Sequence, residues 1–172
     1  MKVCVIGATG YLGEAVVEEL CRRTTSVVAI ARKSSPKIEK LGQLGASTEL
    51  VDVSNPHTSL IPFLTDCETL VSCLAAHITH VDKTSDFWAI DRDANIRLGR
   101  EALQAGVKHL ILVATYEGPQ SREQSEFCNA KEQAVDVLRA ECCQYKHAKL
   151  TVIRPTAFFK DFLDMTFRMV LT

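Results

Sequence analysis

Apolar residues fall in short runs along the chain, and the segments between most of these runs have helical spacing. After the first run, Leu12, Ala15, Val16 and Leu20 recur on what would be one face of a helix. Strands that alternate with helices are typical of a parallel sheet covered on both faces. The pattern predicts an α/β fold, a doubly wound parallel sheet of about six strands with helices on both faces. The strand-like runs cover residues 2–6, 26–31, 48–51, 69–74, 109–114 and 150–153.

Capping residues and glycines indicate where the helices begin and end. Serine before proline favours a helix start, and glycine is common just beyond a helix end. A phenylalanine-rich apolar segment follows Pro155. The first predicted helix ends at about Arg23, and the second runs from Ser34-Ser35-Pro36 to Gly42 or Gly45. The third runs from about Asp86 to Ala105, before Gly106, and the fourth from about Ser121 to Glu141.

A glycine-rich turn, Gly7-Ala8-Thr9-Gly10-Tyr11-Leu12-Gly13, directly follows the first apolar run. In such a turn the first glycine permits a tight bend, the second lets the backbone approach a pyrophosphate, and the third lets the helix lie close on the sheet. The N–H groups and dipole of the first helical turn also favour phosphate. The turn predicts a Rossmann-like NAD(P)-binding domain over residues 1–156, with Thr9, Tyr11, Leu12 and the three glycines at the cofactor. An ordinary strand-to-helix turn is the alternative.

The end of the second strand bears on which nucleotide binds. NAD-binding sheets of this kind have an acidic residue there, which accepts hydrogen bonds from the ribose, whereas this chain has Arg32 and Lys33. A guanidinium suits a 2′-phosphate, so NADP(H) is the predicted cofactor. The alternative is that both residues only solubilise the strand end. Asp52 is placed either to meet the adenine edge or to cap a turn. Cys73-Leu74-Ala75-Ala76 supplies small residues where a cofactor crosses the sheet.

Composition and charge exclude several partners. The 172 residues carry a formal net charge of −1 without an acidic or basic tail, so nucleic acid and anionic membranes are not expected partners. The sequence contains no uninterrupted apolar stretch of about 20 residues, so no transmembrane segment is predicted. Seven cysteines without Cys-x-x-Cys spacing favour a soluble protein of a reducing compartment, the cytoplasm for the chain as given. A plastid is the alternative if a targeting extension is missing. His77 and His80 lack ligand-spaced partners, so no metal site is expected.

Three segments together match one superfamily. The glycines have the spacing G-x-x-G-x-x-G, residues 107–115 read as a fifth strand ending at Thr115, and Arg154-Pro155-Thr156 follows the sixth. In these segments the chain resembles the short-chain dehydrogenases/reductases, in their extended or atypical branch of NmrA-like proteins. The resemblance implies an active-site role for Thr115, and places the backbone at Pro155 and Thr156 beside the nicotinamide.

A narrower resemblance is to the divinyl chlorophyllide 8-vinyl reductases of that branch. It implies NADPH-dependent reduction of a conjugated C=C, the vinyl group of a chlorophyll precursor. The segments that carry it are Val71 to Ala75, Phe87 to Asp91, Glu126 to Lys131 and Val152 to Lys160.

One departure from the superfamily affects the chemistry. Enzymes that act on alcohols and ketones use Tyr-x-x-x-Lys, but this chain has Phe127 followed by Lys131. The resemblance implies that Lys131 holds the ribose and, with Thr115, serves catalysis. Tyr116, just past Thr115, is the candidate phenol for proton transfer, with a turn residue as the alternative. A macrocycle that delocalises charge makes a dedicated phenol unnecessary. Three alternatives remain open. Lys131 is a solvated helix residue, the chain is a non-catalytic NmrA-like NADP(H) sensor that regulates a partner, or it is a degenerate fragment that only binds nucleotide.

The last segment, residues 157–172, is apolar and carries few charges. Reductases of this branch continue well past their Arg-Pro-Thr motif into a part that covers the substrate. We therefore expect residues 157–172 to begin a substrate-binding region that is truncated or missing here. A helix built from them would be apolar on more than its docking face, so self-association through this segment is also expected.

Overall fold

The computed structural model describes residues 1–23, 25–76, 86–116 and 118–156. A π-helical segment, Phe87–Ala94, runs directly into the third helix, and 3-10 turns cover Ile61–Phe63 and Gly118–Ser121. The strands in these ranges are β1 (Lys2–Ile6), β2 (Ser26–Ala31), β3 (Ser47–Leu50), β4 (Thr69–Ser72), β5 (His109–Val113) and β6 (Lys149–Ile153). The helices are α1 (Tyr11–Arg22), α2 (Pro36–Gln43), α3 (Asn95–Gln104) and α4 (Glu126–Cys142).

All six strands are parallel and lie in the order β3-β2-β1-β4-β5-β6. The chain first builds outward from β1 through β2 to β3. It then returns to the other side of β1, where Val3 pairs with Thr69, and builds outward in the opposite direction. The strand order therefore reverses between β1 and β4, as in doubly wound sheets. The prediction of a Rossmann-like six-stranded parallel sheet is confirmed.

Alternate residues of the central strand pack on opposite faces of the sheet. Val3 and Val5 belong to one buried cluster together with Val17 of α1. Cys4 and Ile6 point to the other face, where they join a larger cluster with residues of α3 and α4. Full burial of an aliphatic side chain stabilises a fold by roughly 1.5–3 kcal/mol. Burial on both faces therefore fixes the helices around the sheet.

The start of α4 corrects the sequence prediction. The helix begins at Glu126 and not at Ser121, because residues 118–121 form a separate 3-10 turn. The Ser121 hydroxyl donates a hydrogen bond of 2.7 Å to the Gly118 carbonyl and so closes that turn. Ser125 then takes extended backbone angles as the N-cap of α4. The first half of the predicted third helix also differs, since it is π-helical.

The described residues bear on the cysteines, on membrane-spanning helices and on metal sites. All seven cysteines lie within these ranges as free thiols. Burial, with a further contribution from Cys67, raises the pKa of the Cys4 thiol to about 12. In the parts of the chain that the structure describes, no helix is long and apolar enough to cross a membrane, and no cluster of side chains could hold a metal ion. His77, His80 and residues 157–172 lie outside the described residues.

Candidate functional site

The predicted site residues lie along one edge of the sheet. Gly7 follows β1, Arg32 follows β2 and Thr115 follows β5. Because the strands are parallel, their carboxyl ends meet at the same edge. Ligands of doubly wound sheets bind at this edge, where the strand order reverses. The candidate site is therefore the carboxyl edge of the sheet, centred on the ends of the neighbouring strands β1 and β4.

The three glycines of the turn have different surroundings. Gly7 has φ of +74°, and a Cβ there would lie 2.9 Å from the Cys73 carbonyl oxygen. A Cβ on Gly13 would lie 2.8 Å from the Gly7 carbonyl carbon and would overlap its oxygen. Gly10 is exposed with an ordinary φ of −70°, and its Cβ would meet only the Gly7 carbonyl oxygen, at 3.1 Å. Gly7 and Gly13 thus hold the turn against the sheet and α1, whereas Gly10 forms its outer surface.

Gly10 also begins α1. As the N-cap it offers no side chain to the first helical turn, so this position leaves room for a ligand. The N–H group of Ala8 donates to the Ile30 carbonyl oxygen at 3.1 Å, which ties the turn to β2. The turn is therefore anchored to the sheet below a surface that faces outward. Of the other turn residues, Thr9 and Leu12 are half-buried and Tyr11 is exposed.

The end of β2 is cationic. Arg32 and Lys33 are exposed, and no described carboxylate lies within ion-pair distance of either. Asp52, just after β3, accepts hydrogen bonds from the hydroxyl and N–H groups of Ser54 at 2.5 and 3.0 Å. These bonds lower the pKa of Asp52, and the Arg32 guanidinium adds a smaller lowering. Asp52 therefore caps a turn close to Arg32, and its contact with adenine stays a prediction.

The end of β4 is fixed by a buried polar contact with α3. The Ser72 hydroxyl donates to the Asn95 side-chain oxygen at 2.5 Å. The Asn95 amide in turn donates to the carbonyl oxygens of Ile90 and Asp91, at 3.1 and 3.2 Å. These bonds connect β4 to the π-helical segment. Beyond β4, Leu74 is half-buried and Ala75 is exposed.

Lys131 of α4 is buried at this edge and is only 5% exposed. Its ammonium lies 2.9 Å from a carboxylate oxygen of Asp91. It also donates to the carbonyl oxygens of Val113, at 3.3 Å, and Leu74, at 3.5 Å. The lysine therefore joins the ends of β4 and β5. The alternative that Lys131 is a solvated helix residue is wrong.

Asp91 is the partner that sequence reasoning missed. It is 1% exposed, and its second carboxylate oxygen accepts the Ala76 N–H at 3.0 Å. Burial raises the pKa of Asp91, while the Lys131 ammonium and the Ala76 N–H oppose the rise. The residue lies in the π-helical segment, and such widened turns are frequent at functional sites. In the sequence it is one of three aspartates on the predicted helix from about Asp86 to Ala105, and nothing in that pattern marks it as buried.

A second ion pair lies at the ends of β5 and β6. Arg154 meets Glu132 of α4 in a bidentate contact, and Glu132 is fully buried. Arg154 also donates to the Thr115 carbonyl oxygen at 3.3 Å. The Thr115 hydroxyl lies 3.4 Å from that of Ser121. Thr115 is thus held from both sides. Of the other predicted residues here, Tyr116 and Thr156 are exposed and Pro155 is half-buried.

Phe127 occupies the position of the superfamily tyrosine. Its ring packs edge-on against Phe87 of the π-helical segment, with centroids 5.4 Å apart. The Lys131 ammonium lies 5.2 Å from the Phe127 ring centroid. An apolar ring therefore lies over the Lys131 ammonium, four residues before the lysine in the sequence, where the Tyr-x-x-x-Lys pattern has tyrosine.

Fold and edge together define a Rossmann-type nucleotide-binding domain. The profile of the NAD(P)H-binding family matches residues 7–166. The chain belongs to this NAD(P)H-binding family, and its architecture is that of the short-chain dehydrogenases/reductases.

Individual relatives agree with this assignment. Divinyl chlorophyllide a 8-vinyl-reductase of Zea mays, named as chloroplastic, is 32% identical over 168 residues, 92% of this chain and 41% of the relative. An NmrA-like family domain-containing protein of Dictyostelium discoideum is 29% identical over 128 residues, 73% of this chain and 39% of that protein. The chain thus spans about two fifths of the length of these curated relatives. The predicted resemblance to NmrA-like proteins and these reductases is confirmed.

Solved structures support the fold. UDP-glucuronic acid 4-epimerase from Bacillus cereus, in complex with NAD, superposes with a TM-score of 0.75 at 16% identity. The match covers 91% of this chain and 56% of that protein. At this identity the likeness bears on the architecture alone.

Proposed function

We propose that the carboxyl edge binds NADP(H), with the pyrophosphate over Gly10 and the 2′-phosphate at Arg32 and Lys33. The exposed glycine at the N-terminus of α1 suits an anion, because N–H groups and the helix dipole favour negative charge there. Two exposed cations that form no ion pair with a carboxylate of the described residues suit a phosphate better than a ribose hydroxyl. Asp52 then lies near the adenine, and Ala75 beside the cofactor where it crosses from β1 to β4.

The nicotinamide half of the cofactor belongs, in this proposal, at the ends of β5 and β6. Lys131 exchanges its longer contacts, to the Val113 and Leu74 carbonyl oxygens, for the ribose hydroxyls and keeps its contact with Asp91. Thr115 lies on the nicotinamide side together with the backbone of Pro155 and Thr156. When bound, the cofactor supplies a hydride. The chain's own residues hold the ribose, and Tyr116 is the exposed phenol next to Thr115 in the sequence.

Arg32→Ala is expected to weaken NADPH binding by roughly 10- to 150-fold, because a charge-assisted contact contributes about 1.5–3 kcal/mol. NADH binding is expected to change little, since NADH lacks the 2′-phosphate. Isothermal titration calorimetry with both nucleotides measures the difference. Arg100→Ala is the matched control, an exposed arginine on α3 that pairs with Glu141 at 2.8 Å. Equal losses for NADPH and NADH in the Arg32 variant would refute the phosphate assignment.

Gly10→Val is expected to weaken binding of either nucleotide by more than about 100-fold, because side-chain bulk would occupy the surface assigned to the pyrophosphate. The fold should persist, since φ at this position is ordinary and the Cβ would meet only the Gly7 carbonyl oxygen, at 3.1 Å, which a shift of a few tenths of an ångström relieves. Calorimetry measures the affinity and far-ultraviolet circular dichroism the fold. Micromolar affinity retained by the variant would show that the turn is only structural.

We further propose that the protein is an NADPH-dependent reductase of a conjugated C=C, the vinyl group of a chlorophyll precursor. The observation that carries this is Phe127, packed over Lys131 in place of a phenol. A site without that phenol is poorly suited to carbonyl reduction, whereas a conjugated macrocycle can spread the charge that follows hydride transfer. The 32% sequence identity to the Zea mays reductase over 168 residues supports the same substrate class.

A non-catalytic NADP(H) sensor is the second candidate, and the same missing phenol favours it. One experiment separates the two. NADPH oxidation is followed by absorbance with divinyl chlorophyllide as acceptor, for this chain and for its Lys131→Met variant. Turnover that the variant loses supports the reductase. Capture of a protein partner that depends on the NADPH to NADP⁺ ratio supports the sensor. Tight NADPH binding without turnover does not by itself separate the two, because a chain without its substrate-binding region would also show no turnover.

A further inference from the structure

Charge is distributed unevenly along the proposed cofactor site. At the end assigned to the 2′-phosphate, Arg32 has no ion-paired carboxylate among the described residues. At the nicotinamide end, each described cation has its own buried carboxylate: Lys131 is paired with Asp91, and Arg154 with Glu132. One end of the site is therefore cationic and the other electrically neutral.

Asp91 has contacts that suit a counter-ion. One carboxylate oxygen lies 2.9 Å from the Lys131 ammonium, and the other accepts the Ala76 N–H at 3.0 Å. Both charged side chains are almost fully buried, so their interaction is screened weakly by water. The wide turn that carries Asp91 is itself fixed, since Asn95 donates to the Ile90 and Asp91 carbonyls. The position of the carboxylate is thus set by the backbone on both sides.

The two redox states of the cofactor differ in charge at this place. The nicotinamide ring of NADP⁺ carries a positive charge, and that of NADPH is neutral. A buried lysine without a counter-ion would repel the oxidised ring and leave the reduced ring unaffected. We propose that Asp91 is the positioning residue and counter-ion of Lys131, and that it lets the site bind NADP⁺ as well as NADPH. This inference rests on the proposed function, because it needs the nicotinamide beside Lys131.

Asp91→Asn is the direct test. The change keeps the shape and removes the charge, so the dissociation constant for NADP⁺ should rise about tenfold relative to that for NADPH. Calorimetric titration of the intact chain with each nucleotide gives this ratio. A purely structural role of Asp91 would weaken both nucleotides by the same factor and leave the ratio unchanged. That result would overturn the inference.

The double variant Asp91→Asn/Lys131→Met covers the case in which Asp91→Asn does not fold. It buries no charge, and replacing both members of a buried ion pair is far milder than removing one. We expect weaker binding of both nucleotides, since the ribose contact is lost, but an NADP⁺ to NADPH ratio within about twofold of the parent. A ratio about tenfold in favour of NADP⁺ would mean that the Lys131 charge is not compensated in the parent, and would overturn the inference.

The parent titrations separate this inference from the proposed function. If the parent binds neither nucleotide, both proposals fail. If the parent binds both nucleotides but the ratio does not respond to the Asp91 charge, only the counter-ion role is wrong. Circular dichroism of each variant shows that a lost affinity is not a lost fold.

Discussion

Gly13→Ala should lower the free energy of unfolding by about 3 kcal/mol or more, and nucleotide binding should be lost with it. A Cβ at this position would overlap the Gly7 carbonyl, which is backbone and is fixed by the turn above β1. The helix α1 would have to move away from the sheet, and the N–H groups at its start would move with it. Urea denaturation followed by circular dichroism measures the loss of stability, and calorimetry measures binding.

Gly10→Ala is the matched control for Gly13→Ala, because it adds the same methyl group three residues away. The nearest atom to that methyl group is the Gly7 carbonyl oxygen at 3.1 Å, and the position is otherwise exposed. Its free energy of unfolding should change by less than about 1 kcal/mol. If both alanine variants were equally stable, the close packing of α1 on the turn would not be needed for the fold.

Arg154→Met should be the second large effect, with a loss of about 3–5 kcal/mol in the free energy of unfolding. It removes the bidentate partner of Glu132, whose carboxylate is fully buried and would be left without its cation. It also removes the bond to the Thr115 carbonyl oxygen, so Thr115 loses one of its two supports. Thermal and urea denaturation measure the stability.

The double variant Arg154→Met/Glu132→Gln should regain most of that stability, since no buried charge remains unpaired. A surface pair gives the scale for comparison: Arg122 and Asp136 lie 2.5 Å apart, but the Asp136 side chain is 49% exposed. Asp136→Asn should therefore cost less than about 1 kcal/mol. An equally small loss in Arg154→Met would show that Glu132 is readily hydrated or protonated after its partner is removed.

Much of the fold follows from local sequence signals. The alternation of apolar runs and helical spacing predicted all six strands, because a buried parallel sheet needs continuous apolar strands. Where local signals compete, the prediction failed. Ser121 is a favourable helix cap by residue type, but its hydroxyl closes the turn at Gly118. Ser125 is the N-cap of α4 instead. The π-helical segment was predicted as ordinary α-helix, since the hydrophobic spacing of an eight-residue segment does not separate the two kinds of helix.

The sequence predicted those residues of the candidate site that directly follow a strand, because their position in the chain puts them at the carboxyl edge of the sheet. Gly10, Arg32 and Thr115 follow strands, so the topology brings them to one edge. The partners of buried charges could not be found in this way. Asp91 reaches Lys131 across about 40 residues of sequence, through the packing of the π-helical segment on α4. Glu132 looks like an exposed helix residue until β6 places Arg154 against it.

The position of β1 at the centre of the sheet has a consequence for synthesis on the ribosome. β1 is made first, yet one of its two neighbours is β4, which ends roughly 40 residues after β2. At about 5–20 residues per second, an edge of β1 stays unpaired for several seconds. The face of β1 that carries Cys4 and Ile6 stays uncovered for longer, because α4, which packs in the same cluster, is made later. Until β4 and α4 have been made, β1 therefore keeps an unpaired edge and an uncovered apolar face.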